Sequence, residues 1–243
     1  MLAPVTATEL LERAKGRDWY HSMEIAPGHE VRGVFDTRPY VERHGFPDRM
    51  DGLRVLDVGT WDGFWAFEFE RRGAEVVALD LDDERDLDWP PRRRPTSWPQ
   101  TARGEGFHLV RELRGSAVER VVCNVYEATP ERLGTFDLVF CGNVLIHLRD
   151  QLLALERIAG LCDGLFVSVE EYSRAMDLLP FPASRYRADR EAAVVFWQPS
   201  RKTWRAMMWT AGFDRVTEHA RFTLPATEGG WGVRQVVHHC RRR

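Results

Sequence analysis

Apolar residues follow two rhythms along this chain. Five short runs, at 54–59, 75–80, 120–125, 136–141 and 165–170, are almost continuously apolar and rich in Val, Leu and Phe. Such a run suits a strand covered on both faces rather than one with a wet side. Between them the apolar positions are spaced three and four apart. The stretch 62–72 carries Phe64, Trp65, Phe67 and Phe69 and ends at Gly73. The stretches 107–113, 150–161 and 200–211 read as helices too, the last with Ser200 as its N-cap and Gly212 as its stop. Strand, turn, helix and strand in about 30 residues make a βαβ unit, which implies a parallel sheet with a right-handed crossover. Two late runs, 215–224 and 232–239, have no helix between them and predict an antiparallel pair. The pattern is that of an α/β fold: a Rossmann-like, doubly wound, mostly parallel sheet with an antiparallel C-terminal strand.

Two segments break this rhythm. Residues 1–48 open on Thr6 and Glu9, a capping box for a helix to Lys15 with Gly16 as its stop. An aromatic stretch around Trp19, a turn at Pro27 and Gly28, and a second short helix over 38–44 follow. This segment has too little apolar content to fold alone, so a helical lid packed on a domain of residues 49–243 is expected. Residues 82–106 are rich in Pro and Arg and predict a long surface loop.

Composition narrows the function. With 243 residues and 44% hydrophobic content, one domain with appendages is expected. The formal charge is −3, and all but two of the 34 basic residues are arginines. A surface built as a whole to neutralise phosphates is excluded. The runs Arg92-Arg93-Arg94 and Arg241-Arg242-Arg243 read as a solvated loop and tail, so nucleic acid is not the expected partner. The four cysteines lack C-x-x-C and zinc-site spacing, so no metal is expected and a reducing, cytoplasmic address is. Residues 1–15 lack a secretory pattern, and no apolar run approaches the length of a membrane span. Nine tryptophans stand out.

The strongest chemical signal is Val55-Leu56-Asp57-Val58-Gly59-Thr60-Trp61-Asp62-Gly63, with Asp80 ending the next strand. Gly59 allows a sharp turn at the carboxyl end of the first strand, and Gly63 lets the next helix start close to a ligand. That helix start offers unpaired N–H groups. Asp80, about 20 residues on, can accept hydrogen bonds from a ribose diol. The loop lacks the G-x-G-x-x-G of a dinucleotide site and the lysine of a P-loop.

The order hh-D-x-G-x-x-x-G, acidic strand end, F-D-L-V-F resembles the class I S-adenosylmethionine (SAM)-dependent methyltransferases, over roughly residues 53–213. The resemblance implies SAM as cofactor and gives roles to particular residues. Asp57 would orient the loop and the methionine ammonium, with Gly59 and Thr60 beside the methionine part. Asp80 would hold the ribose, Asn124 the adenine amine, and Val125 the adenine face. Cys141 and Gly142 would face the sulfonium. Trp61, Gly63, Leu81 and, from the lid, Trp19 complete the expected cofactor contacts. Trp61 stands where the family usually has its middle glycine, which is tolerable if its φ stays negative and the indole points away.

A narrower resemblance is to the enzymes that complete 5-oxyacetate uridine at the tRNA wobble position with a carboxylated SAM. It rests on the stretches beginning at Trp19, Val34, Gly142, Ser184 and Gly232. Those enzymes hold the extra carboxylate with Lys, Tyr and Arg. The matching positions here are His21, Ile146 and Arg234, two of them changed, so ordinary SAM is expected.

Catalytic candidates are His147, a general base or a helix-start histidine bonded to backbone, and His21, reaching in from the lid. Glu170 ends the fifth strand and could bind a substrate amine or hydroxyl, or be a solvated strand end. Arg185, Tyr186 and Arg234 are candidate substrate contacts. The function implied is methyl transfer from SAM to a nucleophile on a small-molecule acceptor. A tRNA wobble-uridine (carboxy)methyltransferase and a non-catalytic SAM-sensing module are the alternatives.

Overall fold

The computed structural model describes residues 6–99, 102–188 and 194–242. The N-terminal part holds helix α1 (Ala7–Lys15), strands β1 (Trp19–His21), β2 (Met23–Ala26), β3 (His29–Val31) and β4 (Gly33–Phe35), and a 3-10 turn over Arg38–His44. The central part runs β5 (Arg54–Val58), α2 (Phe64–Arg71), β6 (Glu75–Asp80), α3 (Glu105–Arg114), β7 (Glu119–Val122), α4 (Pro130–Leu133), β8 (Phe136–Gly142), α5 (Gln151–Leu161) and β9 (Cys162–Glu171). The last part adds α6 (Arg174–Asp177), β10 (Ser184–Tyr186), β11 (Trp197–Pro199), α7 (Arg201–Thr210), β12 (Arg215–Pro225) and β13 (Gly232–Arg241).

Seven strands form one sheet in the order β12-β13-β9-β8-β5-β6-β7. Five of them, from β9 to β7, are parallel, and β13 is antiparallel to both of its neighbours. Chain order reverses between β5 and β8, which opens a crevice at the carboxyl ends of the strands. Side chains alternate between two cores: Leu56, Val139 and Phe166 face one, and Val55, Phe140 and Val167 the other. The first core is aliphatic and is closed by α5 and α7 through Ile158, Trp204 and Met208. The second is aromatic, built around Phe64, Trp65, Phe69, Phe107 and Phe140.

The capping box of α1 is present, with Thr6 Oγ1 accepting from Glu9 N–H and the Glu9 carboxylate from Thr6 N–H. Ser200 caps α7 as the sequence suggests, and Asp150, expected as the first helical residue, caps α5. The N-terminal segment departs from expectation. It is one helix and four short strands, not a helical lid, and 38–44 is a 3-10 turn. Its Trp19, Met23, Ile25 and Phe46 belong to the aromatic core, so burying those side chains shaped the segment more than helix propensity did. The third strand also stops early, at Val122, because Val125–Glu127 curls into a turn capped by Asn124. Among the described residues no helix is long and apolar enough to cross a membrane.

Candidate active site

Two glycines and one aspartate shape the crevice. Gly59 has φ +77, and a Cβ there would lie 2.3 Å from Val144 Cγ2. The Gly59 amide donates to Leu79 O at 2.7 Å, tying the loop to β6. Gly63, at φ +88, caps α2, and a Cβ would lie 2.4 Å from the Phe67 ring. Trp61 does not keep a negative φ: it sits at +50, the left-handed region that favours glycine. What holds it there is Asp80, whose Oδ2 accepts the Trp61 N–H at 2.7 Å while Oδ1 accepts the Leu81 N–H at 2.7 Å. Arg103 lies over the indole, 4.0 Å from the ring centroid. Its guanidinium also pairs with Glu84 at 2.7 Å and stands 3.6 Å from Asp80.

Beside this loop lies a cavity of about 350 Å³, within the range of small-ligand sites. It runs along the carboxyl edge of the sheet. At the β6–β7 end it is lined by Asp80, Leu81, Asn124, Val125 and His147. In the middle stand Asp57, Gly59, Gly142 and Asn143. Toward β13 the wall holds Gln235, and Thr37, Tyr20, His21 and Trp65 complete it, with Tyr20 and His21 bonded to the loop after β5. Asp57 is 1% exposed, its Oδ2 has no hydrogen-bond partner, and burial pushes its carboxyl up to about 7. Such a carboxylate is completed by a cation placed in the cavity.

The stretches 82–99 and 102–104 are more than surface loops. Glu84, Asp88, Trp89 and Arg103 line the cavity, so they form a strap over one end. Asp88 Oδ2 accepts from the Tyr126 hydroxyl at 2.6 Å and from the Arg149 amide at 2.7 Å. The Trp89 indole N–H donates to Glu84 O at 2.6 Å.

The two histidine candidates separate. His147 has Nδ1 2.6 Å from Val194 O, and burial lowers its pKa, which keeps it neutral. It is the backbone-bonded histidine of the two readings, although its ring lines the β6–β7 end. His21 stands beside the loop after β5, with Nδ1 2.6 Å from Asp62 Oδ1. The Asp62 Oδ2 accepts the amides of Tyr20 at 3.1 Å and His21 at 2.8 Å, and Phe64 stacks on the imidazole at 5.1 Å.

Several expected site residues lie elsewhere. Trp19 is buried, and its indole N–H donates to Ala14 O at 3.0 Å, so it packs α1 and does not line the cavity. Thr60, Gly63 and Cys141 form the frame around the cavity without lining it, and Cys141 faces the aliphatic core. Asn124 turns its Oδ1 to the Tyr126 amide at 3.0 Å. Glu170 is neither a solvated strand end nor a cavity group. It is fully buried, its Oε1 accepts the Val144 and Leu145 amides at 3.2 and 3.0 Å, and burial pushes it up to about 8. Arg185 and Tyr186 lie on the exposed β10, with Tyr186 edge-on to Trp197 at 4.8 Å. Arg234 is exposed on β13, and it is the next residue, Gln235, that lines the cavity.

This geometry can be set beside known proteins. A family described as a methyltransferase domain matches residues 30–218, well over half of the chain. The chain belongs to the methyltransferase-domain family. It is similar to the tRNA U34 carboxymethyltransferase of Desulforapulum autotrophicum, 29% identical over 178 residues that cover 71% of this chain and 49% of the relative. It is similar also to the magnesium-protoporphyrin O-methyltransferase of Rhodobacter capsulatus, 33% identical over 119 residues, 49% of this chain and 44% of the relative. The chain thus spans about half the length of these relatives. The crystal structure of the N-terminal domain of EvdMO1 with SAH bound superposes with a TM-score of 0.69 at 19% identity, covering 98% of each chain, which establishes the shared fold.

Within this methyltransferase domain, sequence reasoning missed Asp62, Tyr20, Thr37, Arg103, Trp89 and Gln235. Asp62 lies inside the glycine loop, where nothing local distinguishes it from a solvated turn residue. Arg103 and Trp89 were hidden in a segment whose composition reads as solvent-exposed. No local signal marks Thr37 or Gln235, which reach the cavity through tertiary placement alone.

Proposed function

We propose that this chain transfers a methyl group from SAM to a nucleophile on a small-molecule acceptor. The observation that carries the reading is Asp57: a buried carboxylate with an unpartnered oxygen, beside a glycine turn and a cavity. Lining carboxylates outnumber the one lining guanidinium, Arg103, among the described residues. That field suits a ligand carrying an ammonium and a sulfonium. When bound, SAM supplies an electrophilic methyl carbon on a positively charged sulfur. The chain's own part is to hold and align. Asp57 takes the ammonium, Asp80 the ribose hydroxyls while fixing the Trp61 turn, and Val125 and Leu81 flank the adenine. The strap, 82–99 with 102–104, keeps water from that end. Residues 1–48 act as a cap that supplies Tyr20, His21 and Thr37. Alignment in a closed pocket then provides most of the rate gain.

Ordinary SAM fits better than its carboxylated form. An extra carboxylate needs a free cation, and Arg103, the one lining guanidinium among the described residues, lies over Trp61 and is paired with Glu84. Arg234 is exposed, outside the cavity. Four free, buried cysteines support a reducing, cytoplasmic setting. Calorimetry with SAM and with S-adenosylhomocysteine (SAH) tests the reading. Binding at micromolar concentrations is expected, and absence of heat at tens of micromolar overturns it.

A further inference from the structure

The β9–β13 end of the cavity has a chemistry distinct from the rest. Among the described residues, Asp57 apart, every charged residue that lines the cavity is Asp80 or belongs to the strap. The far end is walled by rings and aliphatic groups: Tyr20, Trp65 and Phe140 with Val169 and Leu224. Set among them are uncharged hydrogen-bonding groups that the fold leaves unused. Thr37 is 3% exposed and stands at the N-cap of the 38–44 turn, yet its hydroxyl makes no capping bond and has no partner. An N-cap threonine ordinarily spends its oxygen on a backbone amide. Adjoining them from the middle of the cavity, Asn143, held at φ +55, has a buried Oδ1 without a partner. Gln235 is 2% exposed and brings a carboxamide from β13. The Tyr20 hydroxyl stays un-ionised, because burial pushes it up to about 12.

His21 lines the same cavity beside the loop after β5, and gives its Nδ1 to Asp62, which does not line it. The short bond to Asp62 fixes the Nδ1–H tautomer, which leaves Nε2 as a proton acceptor. Asp62 is itself pinned by two backbone amides, so the pair cannot swing.

Taking SAM as the methyl donor, we infer that the acceptor bound at this end is a neutral, polyhydroxylated ring of the sugar type, and that its reacting hydroxyl gives its proton to His21. The rings of Tyr20, Trp65 and Phe140 offer faces for the C–H surface of a pyranose, while Thr37, Asn143 and Gln235 meet its hydroxyls. A flat acceptor with one hydroxyl leaves those buried groups unpaired, which a polar site penalises. An anionic acceptor finds no cation here, and a neutral amine attacks without a base. In the step itself the acceptor oxygen passes its proton to His21 Nε2 and bonds to the methyl carbon as the carbon–sulfur bond breaks. The electron pair of that bond stays on sulfur, and the cofactor leaves as a neutral thioether. Asp62 is a positioning residue that holds the imidazole and stabilises its protonated form.

The experiment is saturation-transfer NMR on the SAH-loaded chain with D-glucose, D-fucose, catechol and benzoate as probes, followed by turnover with SAM and whichever sugar binds. A sugar signal is expected, with none from benzoate. Thr37→Val and Gln235→Leu should each weaken that sugar about tenfold and leave SAH affinity within about twofold. His21→Ala should keep both ligands and lower methyl transfer by about a hundredfold. Asp62→Asn should lower kcat with KM for the sugar unchanged, a split that a folding defect does not produce. SAH binding with no sugar signal, or full turnover by His21→Ala, overturns this inference alone. Failure to bind SAH overturns the cofactor reading and this inference with it.

Discussion

At the β6–β7 end of the cavity, Asp80, Leu81, Asn124 and Val125 come from two neighbouring strand ends, and Asp80 and Asn124 spend their side-chain oxygens on nearby backbone amides. At the β9–β13 end, Tyr20, Thr37, Phe140, Leu224 and Gln235 are drawn from almost the full length of the chain. The first end is made by turn geometry: a glycine at φ +77, a tryptophan forced to φ +50, and one carboxylate bridging two loops. The second is made by side chains projecting from elements that meet only in the folded state. Backbone-built sites serve a ligand part that does not vary, and side-chain-built sites are where acceptor preference can change without disturbing the turn.

The largest test of this contrast falls on the backbone-built end. Gly59→Ala puts a Cβ into Val144 at a positive φ, so a loss of about 2–4 kcal/mol in thermal or urea unfolding is expected together with loss of SAM binding. A stable variant that still binds SAM would show that the turn is not what builds this end. Next in size, Asp80→Ala removes the anchor of Trp61 and the ribose acceptor at once, and calorimetry should register a loss of about 30-fold or more in SAM affinity. Asp80→Asn keeps one acceptor for the Trp61 amide and should lose clearly less.

A third measurement probes the loop between the two ends. Glu170 stays protonated in the fold up to about 8, against 4.5 for an unperturbed carboxyl, because burial disfavours its charge. The unfolded chain therefore gives up this proton first. The stability that follows is complete below the unfolded value and is lost as pH rises through the folded one. Glu170→Gln, which keeps an acceptor for Val144 and Leu145, should flatten the fall in Tm between about pH 5 and 8. An unchanged slope would remove Glu170 as its source. The smallest effect is expected outside both ends. Tyr186→Ala, on the exposed β10, should leave SAM affinity within about twofold and stability within about 0.5 kcal/mol.

The sequence made one end readable and hid the other. The run from Val55 to Gly63 and the strand ending at Asp80 carry their geometry locally, since a glycine turn after a buried strand has few alternatives. The order of apolar runs likewise implied the parallel sheet and its antiparallel close. Less was legible where local and tertiary demands conflict. Residues 19–35 lack strand periodicity, yet they pair as β1–β4 because their aromatic side chains are needed by the core beneath. The segment 82–106 looks solvent-exposed by composition, yet Asp88 and Arg103 tie its described residues over the cavity. Glu170 reads as a surface group, and only burial against two amides makes it internal.

By itself, then, the chain determined the sheet, the helices on its two faces, the glycine turn and the acidic strand end, all features set by neighbours within a few residues. Only the tertiary structure decided that Trp61 would sit in the left-handed region, that His21 would pair with Asp62 while His147 is taken up by the Val194 carbonyl, and that Gln235, not Arg234, would face the cavity. Each of those outcomes depends on which distant group is close enough to accept a proton or exclude water, and no local pattern contains that distance.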